Sequence, residues 1–293
     1  MLNKNVLVTG GTGLLGQALA KELQQQKFNV HILSRQKINN PHYIQADLTQ
    51  NYDLDQACAG QQFIFHLASF NPPKNAKDPE QGQAHFDVTV TGTQNLLKAA
   101  IANKVKRIIF VSSQRAIEAE SDYGKAKQQA ELLLMEAKEQ IEISIIRLPA
   151  LFTDDLNPII KQILNNKLFL PNMGEQRSFI YINDAIAALI LIANAKKANG
   201  EIFQATDGQS YSLYEIQQMT GSKRPIPLFL LIIMAKVGDI LQWLLKRPMP
   251  INQQRLNKLK QSTWMDDQKL CQQLGYQAKM TLKQKLIEYI KNS

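Results

Sequence analysis

The chain has 293 residues, 44% of them hydrophobic and 20% charged, which suits one large or two modest globular units and excludes a disordered or fibrous chain. The net charge of +9 reads as dispersed, with Lys and Arg interleaved among Glu, Asp and Gln and no basic helix face beside aromatics, which argues against nucleic-acid binding. Cys58 and Cys271 match no C-x-x-C spacing and read as reduced thiols, not as a disulfide or a metal pair, and so point to a cytoplasmic protein.

The first element is a short buried strand over 5–9, followed by "VTGGTGLLGQALAKEL" at 8–23. Leu14, Leu15, Ala18, Leu19 and Leu23 recur at helical spacing and predict a helix over 13–26. Such a strand running into a glycine turn leaves no room for a signal peptide. Gly10, Gly13 and Gly16 give G-x-x-G-x-x-G, a variant of the commoner dinucleotide fingerprint. A helix N-terminus presents unpartnered N–H groups and partial positive charge, and glycine lets a phosphate approach them. Gly10, Gly13, Leu14, Leu15 and Gly16 are therefore candidate cofactor contacts; the plainer reading is a glycine turn that packs a helix on a sheet.

Further strands are expected at 29–34, 63–66, 107–112 and 141–147, and helices at 54–59, 86–103 and 121–138. This alternation predicts an α/β fold, a Rossmann-type doubly wound parallel sheet, with a smaller and mostly helical C-terminal substrate region. Residues 1–150 and 178–198 are expected to form the dinucleotide-binding domain, and 151–177 and 199–293 the substrate region. Ligands on such sheets bind beyond the carboxyl ends of the strands, so the informative residues follow each strand.

After the second strand come Ser34 and Arg35, where an NAD-binding sheet usually has an acidic residue for the ribose. A cation there attracts a 2′-phosphate, which favours NADP(H) over NAD(H), unless Arg35 is only a solvated surface residue. Asp47, in "ADLT" with Leu48, is placed to accept from the adenine amino group. "HLAS" at 66–69 supplies Leu67 and Ala68, small enough for a cofactor to lie against backbone, while His66 reads as a satisfied strand-end residue.

The strand at 107–112 runs into "VSSQ", and ten residues after Ser113 begins "YGKAK". Tyr123 and Lys127 lie at i and i+4 and share a helix face. A free tyrosine titrates near ~10, and a neighbouring ammonium lowers that value, so Tyr123 is a candidate acid/base. Ser113 is placed to hold the same substrate oxygen. A Y-x-x-x-K pair also arises by chance on helix surfaces; behind a glycine turn and a strand ending Ser-Ser, chance is the weaker account.

These motifs together resemble the extended short-chain dehydrogenase/reductases of the NAD-dependent epimerase/dehydratase superfamily. "TGGTGLLG", "VTGTQNLLKAA", "VKRIIFVSS", "YGKAK", "RLP" at 147–149, "RSFIYINDAIAAL" at 177–189 and "KLCQQLGYQAKMTLKQKL" at 269–286 follow that family's order along nearly the whole chain. The resemblance implies that Ser113, Tyr123 and Lys127 are the catalytic trio, with Lys127 also on the nicotinamide ribose. It further implies glycines on the pyrophosphate, Asp47 at the adenine and Pro149 along the nicotinamide; relatives often form a homodimer through the helices that are here 86–103 and 121–138, whose apolar residues can equally be spent on the sheet. The family's frequent Asn is Thr89 here, which puts a proton relay through it in doubt. Gln114 and Arg115 stand where sugar 4,6-dehydratases have an acidic pair, which argues against elimination of water.

Three functions follow as expectations. The first is an NAD(P)-dependent oxidoreductase acting on a nucleotide-sugar or related small molecule and exchanging its cofactor. The second is a nucleotide-sugar C4 epimerase with retained NAD, and the third a non-catalytic cofactor-binding sensor. Gln114, Arg177 and Tyr181 are the candidate substrate residues. The segment "PLFLLIIMAKVGDILQWLL" at 227–245 reads as a helix buried along most of its surface, with membrane contact the minor alternative; it also raises a hydroxysteroid-type dehydrogenase with a greasy substrate.

Overall fold

The structure, a computed structural model, describes residues 4–50, 53–70, 81–156, 158–164, 170–219, 226–247 and 249–292. The chain forms two compact units, the first made of Met1–Leu148, Ile182–Ala205 and Asp267–Gln277, the second of Pro149–Tyr181, Thr206–Asp266 and Ala278–Ser293.

The first unit opens with β1 (Asn5–Thr9), α1 (Leu14–Gln25), β2 (Asn29–Ser34), β3 (Tyr43–Gln45), α2 (Leu54–Cys58) and β4 (Phe63–His66). It continues through α3 (Gln81–Phe86), a π-helical turn at Asp87–Thr91, α4 (Gly92–Ala102), β5 (Arg107–Ser113), α5 (Arg115–Glu118), α6 (Asp122–Glu136) and β6 (Glu142–Leu148). The second unit takes β7 (Ala150–Phe152), α7 (Pro158–Leu164) and β8 (Phe179–Tyr181); the chain returns to the first through α8 (Ile182–Asn194) and β9 (Glu201–Gln204). Helices α9 (Leu213–Met219), α10 (Leu228–Leu245) and α11 (Gln253–Lys260) belong to the second unit, α12 (Gln268–Leu274) to the first, and α13 (Leu282–Asn292) to the second.

Seven parallel strands lie in the order β3-β2-β1-β4-β5-β6-β9, the doubly wound arrangement expected, with two strands more than the five read from the sequence. The inner strands are covered on both faces, so β4 and β5 are runs of buried residues without polar alternation. Order reversal at β1 and β4 puts the carboxyl ends of both, Thr9 and His66, side by side in register. Arg107 ties α8 to this sheet: its guanidinium donates to the Ile192 and Ala195 carbonyls at 2.9 and 2.7 Å while Nε donates to Glu142 at 2.7 Å.

Several expectations change. Strands β3 and β9 were not read from the sequence, because three or four residues carry too little periodicity to stand out. β9 pairs with β6, and 267–277 packs beside it, so the first unit reclaims residues from the region assigned to substrate at 199–293. The helix expected at 86–103 is broken by the π turn at Asp87–Thr91, which holds buried Thr89. Of the 151–167 stretch, 157 and 165–167 lie outside the described residues.

The second unit packs Phe152, Ile163, Phe179, Leu213, Leu282 and Leu286 around a parallel β7–β8 pair. Buried Asp207 organises it, accepting from the Tyr211 hydroxyl at 2.7 Å and from the Leu282 N–H at 2.8 Å. Here the largest correction falls. α10 spans Leu228–Leu245 as expected, yet only Leu231, Ala235 and Gly238 are buried along it. A single inward stripe satisfies its packing against α11, and no second layer covers the other side among the described residues.

Candidate active site

The glycine turn is shaped by backbone contact. Gly10 has φ +71°, and a Cβ there would stand 2.8 Å from the Ala68 N–H nitrogen. At Gly16 a Cβ would collide with the Gly10 carbonyl oxygen and lie 2.7 Å from the Gly11 Cα, so α1 presses directly on the turn. Gly13 differs: its Cβ position meets only the Gly10 oxygen, at 3.3 Å, and is otherwise open. Gly13 is the N-cap of α1, no side chain caps the helix, and no acidic residue lies in its first turn. Leu14, exposed, and Leu15, half-buried, thus begin a 12-residue helix with no side-chain cap among the described residues. This end suits a pyrophosphate.

We expect Gly16→Ala to lose dinucleotide binding and about 2 kcal/mol of stability, because only backbone can yield there. Gly13→Ala should keep the melting temperature and weaken dinucleotide binding alone. Thermal melts with fluorescence titration check both; equal stability losses would refute the distinction.

Around the same sheet edge, Ser34 is buried and its hydroxyl accepts from the Gln36 N–H at 3.2 Å, while Arg35 is exposed. Asp47 Oδ1 accepts from both the Thr49 N–H and hydroxyl at 2.9 Å. Leu48 is buried, and its carbonyl is held by Asn95 Nδ2 at 2.9 Å, an anchor the sequence reading missed. Leu67 and Ala68 donate their N–H groups to the Thr9 carbonyl and hydroxyl at 3.1 and 3.2 Å. His66 is buried between Thr9 Oγ1 at 2.6 Å and Thr93 Oγ1 at 2.9 Å. Burial, then the Lys127 charge, pushes its pKa down to about 3, so it stays neutral. Cys58 is buried too, and its thiol is pushed up to about 12, which makes it inert.

At the end of β5, the Ser113 hydroxyl hydrogen-bonds with the Tyr123 phenol. Ser121 caps α6 by accepting from the Gly124 N–H at 3.1 Å, which starts that helix one residue before Tyr123. Gly124 has its own reason: a Cβ would strike the Arg115 carbonyl oxygen, so α5 lies against α6 at this point. The ring of His85 meets that of Tyr123 edge-on, with centroids 5.6 Å apart.

Lys127 is buried at 2% exposure, and its ammonium donates to the Val111 carbonyl at 2.8 Å above the Phe110 ring. Desolvation lowers its pKa to about 7, with the Glu131 charge opposing. The electrostatics correct one expectation. Burial raises the Tyr123 pKa, the Ser113 hydrogen bond and the Arg115 charge lower it, and Lys127 is not among the causes. Lys127 is directed at the Val111 carbonyl and the Phe110 ring, and among the described residues it is the Arg115 charge that lowers the pKa of the phenol.

Glu131, one turn beyond Lys127, was not singled out from the sequence. Its carboxylate, 2% exposed, accepts from Arg147 of β6 at 2.9 Å (Nε) and 2.6 Å (Nη2), clamping α6 to the sheet. Its acidic residue at an inward helical position was the available signal. Ser112 Oγ and Gln114 Oε1 are buried with no hydrogen-bond partner among the described residues. Such atoms cost about 1–3 kcal/mol unless a polar group meets them, which fits a surface that receives a ligand.

The remaining candidates lie in the second unit. Pro149 is its first residue, buried, immediately after β6. Arg177 donates through Nη2 to the Leu259 carbonyl at 2.6 Å, near the carboxyl end of α11. Tyr181 donates to Asp154 at 3.1 Å and stacks on Phe152. Both side chains thus have structural partners within their own unit.

A model of the NAD dependent epimerase/dehydratase family matches residues 6–205, from β1 to just past β9. The chain belongs to that family. It is an extended short-chain dehydrogenase/reductase, of the NAD(P)-dependent oxidoreductase and epimerase class. Among relatives of this family member, the N-acetyl-alpha-D-glucosaminyl-diphospho-ditrans,octacis-undecaprenol 4-epimerase of Escherichia coli O157:H7 is 27% identical, over 97% of this chain and 94% of that one. The UDP-glucose 4-epimerase of Vibrio cholerae is 25% identical over 73% and 74% of the two chains. In fold, the chain is similar to a short-chain dehydrogenase/reductase superfamily protein of Agrobacterium tumefaciens solved with bound NAD, with TM-score 0.73, 19% identity and coverage of 98% and 96%. It is likewise similar to the UDP-N-acetylglucosamine 4-epimerase of Bacillus cereus, with TM-score 0.70, 20% identity and coverage of 98% and 95%.

Proposed function

We propose that this family member is a sugar 4-epimerase acting on a hexose or N-acetylhexosamine linked through a diphosphate. The observation that carries the reading is the hydroxyl pair of Ser113 and Tyr123 at the end of β5, on the same sheet edge as the open N-terminus of α1. A nicotinamide dinucleotide, when bound, supplies the hydride chemistry. Gly10, Gly13 and Gly16 with the first N–H groups of α1 hold its pyrophosphate, and Asp47 accepts from the adenine amino group. Tyr123 takes the proton from the sugar hydroxyl and returns it, Ser113 holds that oxygen, and Lys127 and Arg115 set the local charge. The end-to-end match to the Escherichia coli 4-epimerase supports a diphosphate-linked sugar as substrate.

A second reading has its own observation. Ser34 is buried and neutral and Arg35 is exposed beside it, an arrangement that suits a 2′-phosphate and hence an exchangeable NADP(H)-dependent dehydrogenase. One experiment separates the two. The purified protein is denatured, its extracted nucleotide identified, and fresh protein incubated with UDP-N-acetylglucosamine or its polyprenyl-diphosphate counterpart. Retained NAD and C4 epimers without net dinucleotide reduction are expected. A protein that is empty as purified and turns over only with added NADP(H) would establish the second reading in place of the first.

A further inference from the structure

The most apolar exposed surface among the described residues lies on α10. Of the fifteen exposed large hydrophobic side chains among the described residues, nine belong to this one 18-residue helix. Phe229, Ile233, Val237, Ile240 and Leu244 recur at helical spacing down the side opposite the buried stripe of Leu231, Ala235 and Gly238. Trp243, 79% exposed, stands at the flank.

The inward side is fixed to the protein. A Cβ on Gly238 would strike the Ile251 carbonyl oxygen, so the chain entering α11 lies directly on α10. Gln242 Oε1 accepts from Asn252 Nδ2 at 3.0 Å, and Asp239 Oδ1 accepts from the Gln253 N–H at 3.3 Å. The helix is long and apolar enough to cross a bilayer by composition, and 17% of it is buried. Spanning would strip these partners away and carry Asp239 and Lys236 into hydrocarbon. Lying flat keeps them.

Charge names the occupant. The cations taken as dispersed are not: residues 220–265 hold eight Lys and Arg and one acidic residue, Asp239, a net +7 of the chain's +9. In sequence, Lys223 and Arg224 precede the helix, and Lys246 and Arg247 follow it; Arg255, Lys258 and Lys260 lie on α11. An apolar helical face with an exposed tryptophan, flanked along the chain by cations, is the chemistry of an anionic bilayer surface. We propose that α10 docks this protein on anionic phospholipid, lying in the interface with its Phe229–Ile233–Val237–Ile240–Leu244 side in the acyl boundary. This docking does not depend on which sugar substrate the enzyme takes.

The test is flotation of the full-length protein with vesicles of phosphatidylglycerol and phosphatidylcholine in equal parts, and with phosphatidylcholine alone, without sugar substrate. Flotation with the anionic vesicles, weakened by raised salt, is expected, together with a blue shift of Trp243 emission in a Trp264→Phe background. Ile233→Glu with Ile240→Glu should abolish it. Lys246→Gln with Arg247→Gln should weaken it by about tenfold or more. All four side chains are exposed, so both variants should melt as the parent does. The proposal is overturned by a parent protein that floats with neither vesicle, or by variants that float as well as the parent. It is equally overturned by a non-floating dimer that the Ile233→Glu, Ile240→Glu pair converts to monomer, since a second copy would then cover the face.

Discussion

Tyr123→Phe is expected to lower turnover about a thousandfold while leaving dinucleotide affinity unchanged, the size typical of losing a positioned acid/base. The substitution keeps the ring that packs edge-on to His85 and removes only the hydroxyl held by Ser113. Folding should therefore survive, and a loss of activity reports on proton transfer. The proposed acid/base role falls to Tyr123 because Ser113 is not a base at neutral pH, and His66 is buried and neutral between two threonines. Steady-state turnover with a parallel dinucleotide titration checks the result. A phenylalanine variant with parental turnover would remove Tyr123 from the mechanism.

Glu131→Ala should cost about 3 kcal/mol in denaturant unfolding, because it strands the Arg147 guanidinium in a largely buried position. The pair is bidentate and joins α6 to β6 directly beneath the Tyr123–Lys127 turn. Glu131→Gln separates structure from electrostatics. It preserves the shape and one acceptor but removes the negative charge that opposes the depression of the Lys127 pKa. The Lys127 pKa should then fall further below about 7, so activity that needs the ammonium is lost at lower pH than in the parent. A glutamine variant whose pH profile superimposes on the parent's would confine Glu131 to a structural role.

The two units differ in how far they could be read in advance. Strands β1, β2 and β4 match their expected bounds, since each is a buried apolar run next to a turn or helix signal. The glycine turn and the Y-x-x-x-K helix were legible for the same local reason, because spacing on one element places both groups on one face. Gly124, Asn95 and Glu131 were not legible, since their partners Arg115, Leu48 and Arg147 lie on other segments. Thr89 shows a milder case: helical spacing continued through 86–103, yet the chain inserts a π turn there.

The amino-acid sequence by itself determined the doubly wound sheet, the glycine turn between β1 and α1, and the placing of Tyr123 and Lys127 one turn apart on α6, all properties of short-range order along the chain. Tertiary structure alone decided that Lys127 is buried against Val111 and Phe110, where Arg177 and Tyr181 find their partners, and that α10 lies open among the described residues. The reason is that burial and electrostatic coupling depend on what other segments bring alongside, and an apolar helix has the same periodicity whether protein or bilayer covers its outer side.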